Sequence, residues 1–196
     1  MEENIMVFFR NLAVILAMLL SVQVAVNAKT VKAVPLYRLY GSSHHFYTTD
    51  KAERDSAINN ANYVDEGIAG WVFAEKIPGT VALYRFVKEI PDYGTRHYYA
   101  INSVARNAAI NDGYKSEGIC CYVSSKQDDS NLPFFHLYLA PKPLNQAKSN
   151  AINGGGDDHL YTTSSKEKFD AINKYGYIIQ APMGFIWHAY FFKIIP

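Results

Sequence analysis

Hydrophobic and polar positions along this chain come in short bursts that return three times in the same order. Leu36-Tyr37-Arg38-Leu39-Tyr40 recurs as Leu83-Tyr84-Arg85-Phe86-Val87 and, more weakly, as Phe134-Phe135-His136-Leu137-Tyr138. His45-Phe46-Tyr47-Thr48-Thr49 recurs as His97-Tyr98-Tyr99-Ala100-Ile101 and as His159-Leu160-Tyr161-Thr162-Thr163. Both segments are of strand length and rich in aromatic and branched residues, so each reads as a β-strand. Asp50-Lys51-Ala52-Glu53 and Ser164-Ser165-Lys166-Glu167 have capping-box spacing and predict a short helix after the second strand. Each helix holds Ala-Ile-Asn (Ala57, Ala109, Ala171) and stops near Asn59-Asn60, Asn111-Asp112-Gly113 or Tyr175-Gly176. Tyr63 to Phe73 then reads as a strand interrupted at Gly67 by a turn or bulge.

The predicted fold is therefore mainly β with one short helix per repeat, β-β-α-β three times over, with repeats at 34–73, 81–123 and 132–188 inside a single domain of 29–196. One such unit cannot bury both faces of its strands, so the three are expected to close around a shared axis. The expected form is pseudo-threefold and closed, trefoil-like or like a three-bladed propeller. The copies differ mostly between their first two strands: Gly41-Ser42-Ser43-His44 in the first, Lys88 to Arg96 in the second, Ala140 to Asp158 in the third. That pattern places variable loops on one face.

Residues 1–28 break the pattern. Arg10, the apolar run from Leu12 to Leu20 and the small-residue end at Val26-Asn27-Ala28 read as a secretory signal peptide. No later stretch is apolar enough for a membrane span. A net charge of +1 without Lys/Arg clusters argues against a nucleic-acid partner. The two cysteines, Cys120 and Cys121, are adjacent and read as small apolar residues rather than a disulfide. Fifteen tyrosines are the unusual count, and a tyrosine suits both half-buried strands and sugar-binding surfaces.

These motifs resemble a family of secreted tandem repeats of unknown function, with the signature L-Y-R-L-Y, (G-D)-H-F-Y-T-T, A-E-R-D and Y-x-x-E-G-I-A. The first copy fits closest, through Ala52-Glu53-Arg54-Asp55 and Tyr63 to Ala69. The third departs at Phe135, His136, Gln180 and Pro182. The resemblance implies an extracellular accessory or lectin-like module and transfers no catalytic residue.

Candidate ligand-binding residues are Tyr37, Arg38, His45, Tyr47, Glu66 and Trp71 in the first copy, with Arg85, His97 and Glu117 in the second. Aromatic faces stack on sugar C–H surfaces while charged groups take the hydroxyls. The competing structural reading pairs Arg38 with Glu66 and Arg85 with Glu117, and gives the aromatics to the core. The three equivalent histidines, His45, His97 and His159, could hold a metal if they met on a shared axis, but nothing in the sequence places them there and a local hydrogen bond is the favoured account of each. Glu66 and Glu117 sit on different repeats, which argues against a paired-carboxylate hydrolase; a carboxylate before glycine can instead accept backbone N–H groups in a tight turn. Asp157-Asp158 reads as a solvated loop and His44 as a loop residue. No phosphate loop, dinucleotide fingerprint or zinc spacing is present, so no cofactor or metal is expected. The sequence points to a secreted, non-catalytic module for a glycan or extracellular-matrix ligand. A structural or protein-interaction role in a secretion or matrix comes second, and a secreted hydrolase third.

Overall fold

The computed structural model describes residues 29–41, 43–91, 94–141 and 157–190, and the backbone of 192–195. The expected signal peptide and most of the third-copy loop (142–156) lie outside the described residues. Strand β1 (Lys29–Lys32) pairs antiparallel with β13 (Phe192–Ile195), Lys32 opposite Phe192, and the two form a unit by themselves.

The second unit, Ala33–Phe191, holds the three repeats. The first is β2 (Val34–Gly41), β3 (His44–Thr48), α1 (Lys51–Ala61) and β4 (Val64–Val72). The second is β5 (Thr80–Ile90), β6 (Gly94–Ala100), α2 (Ser103–Asn111) and β7 (Lys115–Ser124). The third opens with the short β8 (Asn131–Pro133), then β9 (Phe135–Leu139), β10 (Asp158–Thr162), α3 (Ser165–Tyr175), β11 (Ile178–Ile179) and β12 (Phe185–Trp187). Each repeat is a three-stranded antiparallel arrangement, β3-β2-β4, β6-β5-β7 and β10-β9-β11. Strand β12 pairs at Trp187 with Trp71 of β4 and at Phe185 with Ser124 of β7, which joins the first two repeats into one sheet. The fold of the described residues is mainly β with three short helices. Among the described residues the strands form no closed barrel, because the strand path ends at β3 and β6. No described helix is long and apolar enough to cross a membrane.

Local chemistry accounts for the elements. Asp50, Asn102 and Ser164 cap the three helices with side-chain oxygens on first-turn N–H groups. Left-handed Asn62 (φ 56°) and Gly176 (φ 79°) end the first and third helices. Leu36 and Leu39, three apart on β2, face opposite sides of the sheet. Leu36 joins a shared core with Val72, Leu83, Phe134 and Ile186, while Leu39 packs under its own helix with Phe46 and Tyr63. The second and third repeats have matching clusters around Phe86 and Leu137.

Repeat meets repeat through a ring of three equivalent tyrosines. The Tyr99 hydroxyl accepts from the Tyr47 N–H (2.9 Å) and donates to the Tyr47 carbonyl (2.6 Å). The Tyr47 hydroxyl does the same to Tyr161 (2.8 and 2.7 Å), and the Tyr161 hydroxyl to Tyr99 (2.9 and 3.3 Å). The rings meet edge to face with centroids 5.2–5.6 Å apart, the geometry their quadrupoles favour. All three are fully buried. Tyr47 is thus enclosed in the core and offers no face to a ligand, and tyrosines rather than histidines occupy the centre where the repeats meet.

Tyr99→Phe removes one hydroxyl and leaves a buried N–H and carbonyl of Tyr47 unpaired. The expected cost is about 2–4 kcal/mol in urea unfolding. A change within about 0.5 kcal/mol, ordinary for a surface substitution, would show that the ring does not hold the repeats together.

Candidate functional site

The third strand of the first two repeats carries a bulge at its Glu-Gly pair. On β4, Tyr37 lies opposite Ile68 and Leu39 opposite Asp65; on β7, Arg85 lies opposite Gly118 and Phe86 opposite Ser116. Gly67 and Gly118 take φ near +90°, which favours glycine. Their N–H groups are accepted by Asp65 Oδ1 and Ser116 Oγ, two residues upstream, and not by the glutamates as the sequence suggested. The bulge leaves Glu66 and Glu117 for the arginine opposite. Arg38 Nε stands 3.0 Å from Glu66 Oε2 as an ion pair without an aligned N–H, and Arg85 Nε donates to Glu117 Oε2 at 2.8 Å.

Each arginine also reaches a second carboxylate on a neighbouring repeat. Arg38 Nη1 donates to Glu167 of α3 at 2.8 Å, and Arg85 grips Glu53 of α1 with two bonds of 2.8 Å, the fork geometry that lysine cannot make. These glutamates are the capping-box residues, diverted from the box. The N-cap N–H groups of Asp50 and Ser164 are met instead by the hydroxyls of Thr48 and Thr162, both at 3.0 Å. The Thr48 hydroxyl donates onward to Glu53.

Two small clefts result, one at each of these repeat interfaces. Arg38, Glu66 and Ile68 face Thr162, Ser164 and Glu167 across about 180 Å³. Arg85, Glu117 and Ile119 face Thr48, Asp50 and Glu53 across about 300 Å³. Position by position the clefts correspond. At the third interface every charged member has changed: His136 stands for the arginine, Gln180 and Ala105 for the two glutamates, and Ala100 for the threonine. Glu53 and Glu167, read from sequence only as capping-box residues, and Thr48 and Thr162 were not among the ligand-binding candidates. Their joint absence from the same interface was the available signal.

The other sequence candidates lie elsewhere. Tyr37 is covered by the Arg54 guanidinium, 4.5 Å from its ring centre, and Trp71 packs against Tyr190 at 5.1 Å; neither lines the two arginine clefts. Glu66 and Glu117 occupy different clefts. His44, expected in a loop, opens β3 and is buried, with Nε2 2.7 Å from the Tyr63 hydroxyl. Asp158, expected in solvent, is fully buried at the start of β10. The loop readings failed because each side chain is satisfied from its own repeat and a neighbouring one together, His44 by Tyr63 and Arg96 and Asp158 by Tyr177 and His45. Cys120 and Cys121 are free thiols. Among the described residues no group of three His, Cys, Asp or Glu side chains could hold a metal ion.

The family described as "Domain of unknown function (DUF5648)" matches residues 20–124 and again residues 74–190. The chain belongs to this family. The overlapping double match agrees with the repeats read from its sequence. No curated protein and no solved structure matches it.

In this DUF5648 chain the equivalent histidines have unlike partners. His45 lies 3.4 Å from Glu66 and hydrogen-bonds Asp158 of the third repeat through Nδ1 and its own N–H, both at 2.7 Å. Burial works to lower its pKa, and the charge and hydrogen bonds of Asp158 and Glu66 outweigh that, raising it to about 9. Burial works to raise Asp158, and His45 with the Tyr177 hydroxyl brings it down to about 2. His97 meets His44 at 3.4 Å, and burial with nearby positive charge pushes it down to about 3. His136, beside His159 at 2.9 Å, is pushed to about 3 by burial and then by His159.

A charged His45 stabilises the fold fully below its unfolded value of about 6.5, and that share is lost as pH rises through about 9. His97 and His136 act oppositely: below pH 6.5 the unfolded chain takes up protons that the folded chain refuses. The expected result is that the stability gap between wild type and Asp158→Asn narrows from pH 6.5 to 9. Stability of both should fall on acidification from pH 6 to 4. Denaturant melts across this range check it, and a gap independent of pH would contradict the charged His45–Asp158 pair.

Proposed function

We propose that this chain is a secreted, non-catalytic glycan-binding module, with its three repeats set about the tyrosine ring as pseudo-threefold, three-bladed units. The Arg38 and Arg85 clefts each take one sugar residue. The observation that carries this reading is the concerted change at the third interface: arginine, both glutamates and threonine are kept as a set or lost as a set. The chemistry of each cleft supports it. A planar guanidinium held between two carboxylates offers donors and acceptors side by side, which matches vicinal hydroxyl groups. Ile68 and Ile119, each about half exposed (48% and 47%), give an apolar wall for the C–H face of a ring. Burial works to raise Glu53, Glu66 and Glu167, but their hydrogen bonds and ion pairs keep all three below the usual carboxylate range. Carboxylates so held accept hydrogen bonds and are poor proton donors, which favours binding over acid catalysis.

A second reading, an interaction component of a secretion or matrix, draws support from the exposed apolar side chains Phe169 on α3 and Val104 on α2. On that reading the arginines only staple neighbouring repeats.

The test is binding of the purified chain to a glycan array and to insoluble polysaccharides. The expected result is retention of at least one glycan, weakened tenfold or more in Arg38→Gln/Arg85→Gln with circular dichroism unchanged, and unaffected by Trp71→Ala. Thr48→Val, which keeps both arginines, should weaken the Arg85 cleft alone. Binding that survives the double substitution, or no binding to any glycan at millimolar concentration, overturns the proposal in favour of the interaction reading.

A further inference from the structure

The third interface, having lost the arginine cleft, holds a different cavity. Between the first and second repeats, Glu53 lines both the Arg85 cleft and a neighbouring hollow of about 330 Å³ that contains Phe46, Tyr63 and His97. Between the second and third repeats, Ala105 takes the place of Glu53. There His136 and Gln180, in the arginine and glutamate positions, line one cavity of about 390 Å³ together with Tyr98 and Tyr114, the counterparts of Phe46 and Tyr63.

Tyr98, Tyr114 and Tyr138 supply aromatic walls to this cavity, and Asp112 and Asp157 supply carboxylates. Among the described residues no lysine or arginine lines it. Two described cations stand beside it. Lys88 Nζ donates to the Asp112 carbonyl and lies 5.4 Å from the centre of the Tyr114 ring, while Arg96 Nε is 3.6 Å from Asp157 Oδ1. An ammonium thus already rests against one of these rings.

We propose that this cavity binds an organic ammonium group, carried on a small quaternary amine or on an amino sugar. Ring faces attract a cation through their quadrupole, carboxylates add a Coulombic term, and neither favours an anion. Burial and then Asp157 raise the hydroxyl pKa of both Tyr114 and Tyr138, and Asp112 pushes both the same way, as carboxylates facing the two rings would. His136 and His159 add no positive charge, since burial holds both imidazoles below their ordinary range and they hydrogen-bond each other at 2.9 Å. The site shares no residue with the two arginine clefts and stands whether or not those bind sugars.

Isothermal titration of the purified chain with choline, with glucosamine, and with their uncharged counterparts 3,3-dimethylbutanol and N-acetylglucosamine tests the proposal. The expected result is that at least one cation binds tenfold or more tighter than its neutral counterpart. Choline alone assigns a quaternary amine and glucosamine alone an amino sugar. Asp157→Asn, which keeps an acceptor for the Tyr114 hydroxyl, should cost tenfold, Tyr138→Leu should weaken binding, and Trp71→Ala, which lies apart from this cavity and from both clefts, should leave it unchanged. Equal affinity for charged and neutral probes, affinity surviving both cavity substitutions, or no binding of either cation overturns it. Loss in Arg85→Gln alone would place the ligand in the arginine cleft instead.

Discussion

Three buried phenol hydroxyls need partners, and in this protein each finds them on the backbone of the next repeat. That closed ring of Tyr47, Tyr99 and Tyr161 is the constraint from which the rest of the architecture follows. The second strand of every repeat must keep an N–H and a carbonyl free on its outer edge, so no further strand can add there. Such open edges are normally an association hazard, and here aromatic side chains satisfy them. The strand path can therefore end at β3 and β6 without exposing their central groups to solvent.

The ring also sets where each helix begins. Because the tyrosine is three residues before the helix cap, the first turn of α1 and of α3 emerges beside the arginine strand of the adjoining repeat. A glutamate at the third helical position can then reach across, which it does in two of three cases. Its usual task at the N-cap falls to a threonine hydroxyl. One local substitution of roles thus turns a helix cap into half of an arginine cleft.

One scaffold carries three different electrostatic environments. The residue just before the recurring histidine is His44, Arg96 or Asp158, and all three are buried. Asp158 gives His45 a counter-charge, whereas His44 gives His97 none, so equivalent imidazoles carry different charge at neutral pH. Arg96 stands near Asp157 instead. Repetition fixes the frame, and single substitutions at the contacts between repeats set its chemistry.

Recurrence in the sequence determined the three repeats, their β-β-α-β order, the stop of the third helix at Gly176, the bulge at Glu-Gly and the pairing of Arg38 and Arg85 with Glu66 and Glu117. All of these depend on neighbours within one repeat, where periodicity and cap chemistry carry the information. Only the tertiary structure decided that Tyr47 belongs to the core, that Trp71 lies apart from the clefts, that His44 and Asp158 are buried, and that Glu53 and Glu167 complete the sites. Each of those outcomes depends on which side chain of another repeat comes within hydrogen-bonding distance. Strand and helix patterns do not encode that relation, because it arises only when the repeats meet around the tyrosine ring.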